Sequence, residues 1–220
     1  MSFTDFGDIA KSKNQVISFE HLTSGTIVTF PAFLTDFSDN YTVSWGSEQI
    51  FGRNDPIKPY QSTTRQIGLA FDVLSASEEA GKANLTRYST LIKMLYPSYS
   101  APLSGQGASF GRTIKSPPLI RLKFVNMIQA ANGSGSLLGC IGGFNFKPVA
   151  TAGYFYNAAG ELFPKQYNIS ITFDPQHEQM LGWDENKEFL TKQFPYSAPT
   201  DSTKILGGKK STRSLLNQTN

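Results

Sequence analysis

Between Ile67 and Val73 apolar and polar positions alternate strictly: Ile67, Leu69, Phe71 and Val73 fall on one face of an extended chain, Gly68, Ala70 and Asp72 on the other. A period of two predicts a strand with one face in a core. Tyr167, Ile169, Ile171 and Phe173 alternate more cleanly still against Asn168, Ser170, Thr172 and Asp174, and predict a strand that closes the sheet. Leu119 to Val125 sets Ile120, Leu122 and Phe124 against Arg121 and Lys123, which must point to solvent or to a partner's acids. One stretch changes period. Leu85, Tyr88, Ile92 and Leu95 recur at three and four residues, predicting a helix. Ser75 and Glu78 have the spacing of a capping box, which starts it near Ala76, and Pro97 ends it.

The remaining segments are less regular. Residues 1–25 are polar with isolated apolar pairs, an N-terminal arm or a first edge strand. Thr26 to Phe37 is apolar on both alternating sets, as in a strand covered on both faces or passing between subunits, and Pro31 bends it or sets it at an edge. Asp39-Asn40 reads as a turn and Tyr41 to Trp45 as the next strand. Residues 97–118 read as a long loop rich in Pro, Gly and Ser. Leu137 to Val149 is a strand in which Gly139, Gly142 and Gly143 mark a bulge or close backbone approach. Tyr154 to Tyr156 is a strand tip with a turn at 157–160, and Asp184 to Phe194 a short helix. The organisation expected is an arm (1–25), one β domain (26–184) and a C-terminal helix with a basic extension (185–220).

Composition agrees with a β-rich fold. The 220 residues include 17 Phe, 9 Tyr, 19 Gly and 12 Pro, which suits many strands and turns better than a helical bundle. A net charge of +3 spread among 17 acids does not by itself imply nucleic-acid binding. The local excess is Lys204, Lys209, Lys210 and Arg213, with no acid after Asp201, a tail suited to docking on an acidic neighbour. A single cysteine, Cys140, permits no internal disulfide and reads as a small core residue. The amino terminus lacks a signal-peptide pattern and no segment approaches 18 consecutive apolar residues, so a soluble, intracellularly made protein is expected, without membrane contact.

Candidate chemistry is sparse. His177 with Glu178 and Asp174 has too few companions for a metal site or an acid-base pair, since the other histidine, His21, is remote in sequence. The glycine clusters at 105–111 and 133–135 precede no helix, and Gly207 to Ser211 lacks the spacing of a phosphate loop. No catalytic, metal or cofactor residue is expected, and a hydrolase would need a convergent set that the chain does not display. Exposed aromatics near Tyr96 to Tyr99 and Tyr154 to Tyr156 would instead favour a cell-envelope or carbohydrate-binding β-sandwich module.

The centre of the chain carries a further pattern: Trp45, Glu48, Gly52-Arg53, Asp55-Pro56, Tyr60, Thr64-Arg65 with Ile67, and Phe71, followed by one helix and an alternating strand before Leu181-Gly-Trp183. In this it resembles the tail-tube-like proteins of contractile-tailed bacteriophages and related injection systems, in particular their baseplate tube-initiator and hub-adaptor members. The likeness spans roughly Thr29 to Trp183. It implies a mainly β fold, a β-sandwich or barrel with one flanking α-helix. It also implies a virion structural role, with six copies, or a pseudo-sixfold mixture, ringed between the baseplate hub and the tail tube. DNA would pass through the lumen without binding. The tube subunit itself is the alternative within that family. Similar proteins often continue into a peptidoglycan-binding LysM module, for which residues 185–220 are too short and too polar. Arg53 and Asp55 then pair either within one subunit or across two, and Trp45, Glu48, Tyr60 and Arg65 are expected at the same subunit interface.

Overall fold

The computed structural model describes residues 16–196 except Ala32, 102–111 and Ser134. Seven strands form one antiparallel sheet: β1 (Val16–His21), β2 (Ile27–Pro31), β3 (Phe33–Trp45), β4 (Tyr60–Leu74), β7 (Ile120–Phe124), β8 (Leu137–Pro148) and β11 (Gln166–Pro175), in the order β2-β1-β7-β8-β11-β4-β3. Two small hairpins flank it, β5 (Ser98–Tyr99) with β6 (Ile114–Ser116), and β9 (Tyr154–Tyr156) with β10 (Leu162–Pro164). The helix α1 (Glu78–Lys93) packs on β2, β9 and β10. The fold is thus mainly β with one flanking helix.

The sheet curls. β1 and β4 are four strand positions apart, which in a flat sheet is about 19 Å, yet the rings of Phe19 and Phe71 lie 6.4 Å apart and both meet Phe30. The two edge strands, β2 and β3, are separated in sequence by Ala32 alone. Pro31 supplies no amide hydrogen for a ladder, so the chain bends there and leaves one edge of the sheet for the other. Around this closed-in face the core collects Ile17, Phe19, Val28, Phe30, the alternating residues of β4 and β11, Ile120 and Leu122, with Tyr88 and Leu91 of α1 as the lid. Tyr88 stacks on Phe30 at 4.8 Å and meets Tyr167 at 4.7 Å.

Several local expectations are corrected. β1 lies between β2 and β7, inside the sheet, because its own alternation of Ile17, Phe19 and His21 buries one face. β11 does not close the sheet but pairs on both sides, with β8 and β4. Thr26 to Phe37 is covered on one face only: Val28 and Phe30 are buried, while Ile27 and Phe33 are exposed. The helix cap is Ser77, whose hydroxyl accepts from the amide of Ala80 at 3.2 Å. Ser75 instead accepts from the side chain of buried Asn84. The buried stripe is accordingly Gly81, Asn84, Tyr88 and Leu91, and Leu85 is exposed. Asp39-Asn40 is no turn, since β3 runs through it unbroken. Asp184 to Phe194 is a series of turns with a Trp183–Phe189 bridge rather than a helix. Cys140 is half-buried beside Asp174, not in the core. The glycines of β8 do mark a bulge, where the register with β11 shifts after Thr172. A Cβ on Gly139 would sit 2.6 Å from the ring of Phe173.

Candidate functional site

β11 accompanies β4 only from Ile67 to Leu74, whereas β3 accompanies it out to Tyr60. Beyond Ile67 the pair is therefore a two-stranded ribbon that leaves the sheet, about 23 Å long at strand rise. Its tip is held by backbone. Glu48 and Ile57 exchange two N–H···O bonds of 2.9 Å, and the Gly46 amide donates to Pro59 at 2.8 Å. Gly52 turns the chain with a φ of 81°, a conformation open to glycine without strain.

Several large apolar side chains on the ribbon and its tip are uncovered, set among polar ones. Phe51 is fully exposed at 105%, Trp45 and Tyr60 are each 56% exposed, and Val43, Ile50 and Ile57 are exposed as well. Trp45 and Tyr60 pack edge to face at 5.5 Å, which fixes their rings but does not shield them. These aromatic and aliphatic side chains form an exposed apolar patch, flanked by the charges of Glu48, Arg53, Asp55 and Lys58.

The ribbon's base is clasped. Arg65 continues the buried face of Ile67 to Val73 one step outward and is itself only 7% exposed. Its guanidinium grips Asp39 of β3 with two bonds, Nε to Oδ1 at 2.9 Å and Nη2 to Oδ2 at 2.7 Å. The hydroxyls of Tyr41 and Tyr196 donate to the same Oδ2, at 3.1 and 2.8 Å. The guanidinium lies over the rings of Tyr41 at 5.5 Å and Phe194 at 5.4 Å. Phe194 also meets the ring of His177 at 5.4 Å and stacks on Phe189. The segment from His177 to Tyr196 thus folds back over the ribbon's base. A second tie is the two-pronged pair of Arg121 with Glu178, at 2.8 and 2.7 Å.

Electrostatics follow from this packing. Burial opposes the charge on Asp39 most strongly, but the hydrogen bonds from Arg65 and Tyr196 and the Arg65 charge outweigh it, and the carboxyl is held below its ordinary value. Burial, and then the Arg65 charge, push the His177 imidazole below its ordinary value, with Asp39 acting weakly the other way. Tyr41 is raised, chiefly by burial, and stays a neutral donor.

The residues singled out in the sequence separate into three groups. Trp45, Glu48, Arg53, Asp55 and Tyr60 lie together on the distal ribbon, all exposed. Arg53 and Asp55 form no ion pair with each other among the described residues, leaving both charges free at the tip. Arg65 is the correction: its guanidinium is held inside the subunit by Asp39, so it does not reach a neighbour. Arg121 is likewise paired within the chain. Lys204, Lys209, Lys210 and Arg213 lie outside the described residues, as do residues 102–111 of the 97–118 loop, whose flanks pair as β5 and β6. Asp39, Tyr41, Phe194 and Tyr196 escaped the sequence reading as site residues, and His177 enters it only as a metal or acid-base candidate. The available signal was Arg65 itself, an arginine in phase with four buried apolar positions, which required a buried acid.

Among the described residues no group of three or more His, Cys, Asp or Glu is arranged to hold a metal ion. No helix among them is long and apolar enough to cross a membrane. No family model matches the chain, and no curated protein matches it. Among solved structures it is similar to a chain of the "Tail of empty GTA particle computed with helical refinement, C6 symmetry", at 10% identity over 73% of this chain and 91% of that chain, with a TM-score of 0.30.

Proposed function

We propose that this chain is a non-enzymatic structural subunit of a contractile tail, and that its ribbon is the arm by which one copy grips the next in a hexameric or pseudo-hexameric ring. The observation that carries this reading is the ribbon itself: Trp45, Ile50, Phe51, Ile57 and Tyr60 stand in solvent on a projection beyond the sheet. Burying them against a neighbour would stabilise an assembly at about 25 cal/mol per Å² of apolar surface removed from water. The edges β2 and β3, unpaired among the described residues, support the same reading, because open strand edges are otherwise sites of uncontrolled association. A heterologous contact, arm to body, closes into a ring if its rotation closes.

Within that role we place the ring at the baseplate, joining the central hub to the tail tube and templating tube growth; the resemblance of the Trp45 to Phe71 pattern to tube initiators and hub adaptors supports this position over the tube subunit itself. The subunit is made in the host cytoplasm and ends in the virion. DNA passes in transit along a neutral or acidic lumen wall. The outward face of β4 and β11 suits such a wall: with Asp36 and Asn145 it forms a groove of about 330 Å³ lined by Gly68, Ala70, Ser170 and Thr172. Strong phosphate contacts there would hold DNA rather than let it pass.

Imaging of the purified chain and of tails containing it tests the reading. Six-membered rings with an open centre are expected, and compact monomers in both settings would overturn it. A cell-envelope or carbohydrate-binding module is the second reading, favoured by Tyr96, Tyr99, Tyr154 and Tyr156, all of them exposed. Co-sedimentation with insoluble glycan, lost in Tyr96→Ala and Tyr156→Ala, would support that module instead.

A further inference from the structure

We propose that the segment from His177 to Tyr196 is a pH-sensitive strap, closed over the base of the ribbon while His177 is neutral and released when His177 takes up a proton. The inference does not depend on the ring reading, since every group involved belongs to one chain.

Among the described residues, both ring nitrogens of His177 are shut off from solvent and neither has a hydrogen-bond partner. A neutral imidazole tolerates this at modest cost; an imidazolium, carrying two N–H donors and a full charge, does not. The acid on hand is Asp39, and its carboxylate is occupied. It already accepts from Nε of Arg65 on Oδ1, and from Nη2 of Arg65, Tyr41 and Tyr196 on Oδ2, so its charge is shared among four donors, none of them His177. The other charge facing His177 is Arg65 on β4, of the same sign as the incoming proton. Tyr41 on β3 and Tyr196 on the strap are raised and remain neutral. Glu178, next in sequence, is engaged by Arg121 of β7. A protonated His177 therefore finds Phe194 against its ring, Arg65 nearby and no acceptor bonded to either nitrogen among the described residues.

The least costly response is for the strap to lift. His177 then reaches water, while Phe194 and Tyr196 leave the Arg65–Asp39 pair, and the face of Tyr41 that now meets Phe194 becomes open to another partner. The sign is fixed by the direction of the shift. A histidine whose folded value lies below its unfolded value of about 6.5 stabilises the closed form above that pH. The contribution is lost as pH falls below it. Asp39, held below its ordinary value of about 3.9, titrates only in stronger acid. Between those limits the strap responds to His177.

Hydrogen exchange of the full chain, corrected for the intrinsic effect of pH, tests the strap. Exchange over residues 186–196 is expected to rise at least tenfold between pH 7.5 and 5 while β4 and β11 keep their protection. In His177→Phe, which keeps a ring against Phe194 but cannot titrate, the rise should vanish. Equal protection at both pH values in the wild type, or an undiminished rise in His177→Phe, would overturn the proposal. Should His177→Phe fail to fold, the imidazole resonance of His177 in the wild type decides: its midpoint should fall below 6.5 and coincide with strap opening, and a midpoint at or above 6.5 would contradict it.

Discussion

β4 is two strands in one. From Ile67 to Val73 every second side chain is buried to 2% exposure or less, with β11 on one side and β3 on the other. From Tyr60 to Thr64 every residue is exposed, and among the described residues β3 is the only strand paired with it. The local backbone pattern hardly differs between the halves. Their surroundings do: the inner half is stabilised by a core that curls round it, and the outer half by cross-strand pairs worth about 0.2–1 kcal/mol each. An isolated two-stranded hairpin is at best marginally stable in water. The outer half of β4 persists because its base is clasped by Arg65 and Asp39 and because, in the reading proposed above, a neighbouring copy covers its tip.

Breaking the inner half should have the largest effect. Phe71→Ala removes a fully buried ring that touches Phe19 and Phe30. A loss of about 4 kcal/mol, within the usual range for such truncations, is expected in urea unfolding. The clasp comes next. Asp39→Ala strands Arg65 in a buried site, and roughly 3 kcal/mol should be lost, at the low end for a broken buried pair because two aromatic rings still cover the guanidinium. Because Asp39 is held below its ordinary value, its contribution is present above about pH 3.9 and disappears as pH falls further, so the wild type and Asp39→Ala should converge in strong acid.

Gly139→Ala sharpens the comparison from the far side of the sheet. Its Cβ would press on the Phe173 ring, and overpacking should cost about 1–3 kcal/mol by thermal unfolding. At the tip the expected stability effects are small and the assembly effects large. Arg53→Glu should change subunit stability by less than about 0.5 kcal/mol yet weaken association, since Arg53 is exposed and unpaired among the described residues. Undiminished association in Arg53→Glu would remove that residue from the interface.

How far the fold was legible follows from where each signal lives. The alternations at Ile67–Val73 and Tyr167–Phe173 are set by strand geometry and a one-sided core, so they could be read directly, and the bulge announced itself through the glycines of β8. The order of strands could not, because pairing β11 between β8 and β4 depends on residues far apart in sequence. Asp39-Asn40 misled because turn chemistry is a local preference, and there the Arg65–Asp39 pair holds the backbone extended. The helix stripe was read one residue out of phase because α1 packs Gly81 and Asn84 against β10 and Ser75, which a count of apolar residues overlooks. At the candidate site, Trp45, Glu48, Arg53, Asp55 and Tyr60 were legible as neighbours, but the exposed Ile50, Phe51 and Ile57 beside them were not singled out. The clasp was not, since it joins Asp39, Arg65, His177 and Tyr196 across the whole chain.

The central claim is that the outer ribbon is an arm for a second copy. Sedimentation of the wild type beside Trp45→Ser/Phe51→Ser, over a range of concentrations, tests it most directly. Phe51 is fully exposed and Trp45 loses mainly its cross-strand contact with Tyr60, so the double variant should unfold within about 1 kcal/mol of the wild type. The account predicts that the wild type assembles and the variant remains a stable monomer. A variant that assembles as tightly as the wild type would contradict it.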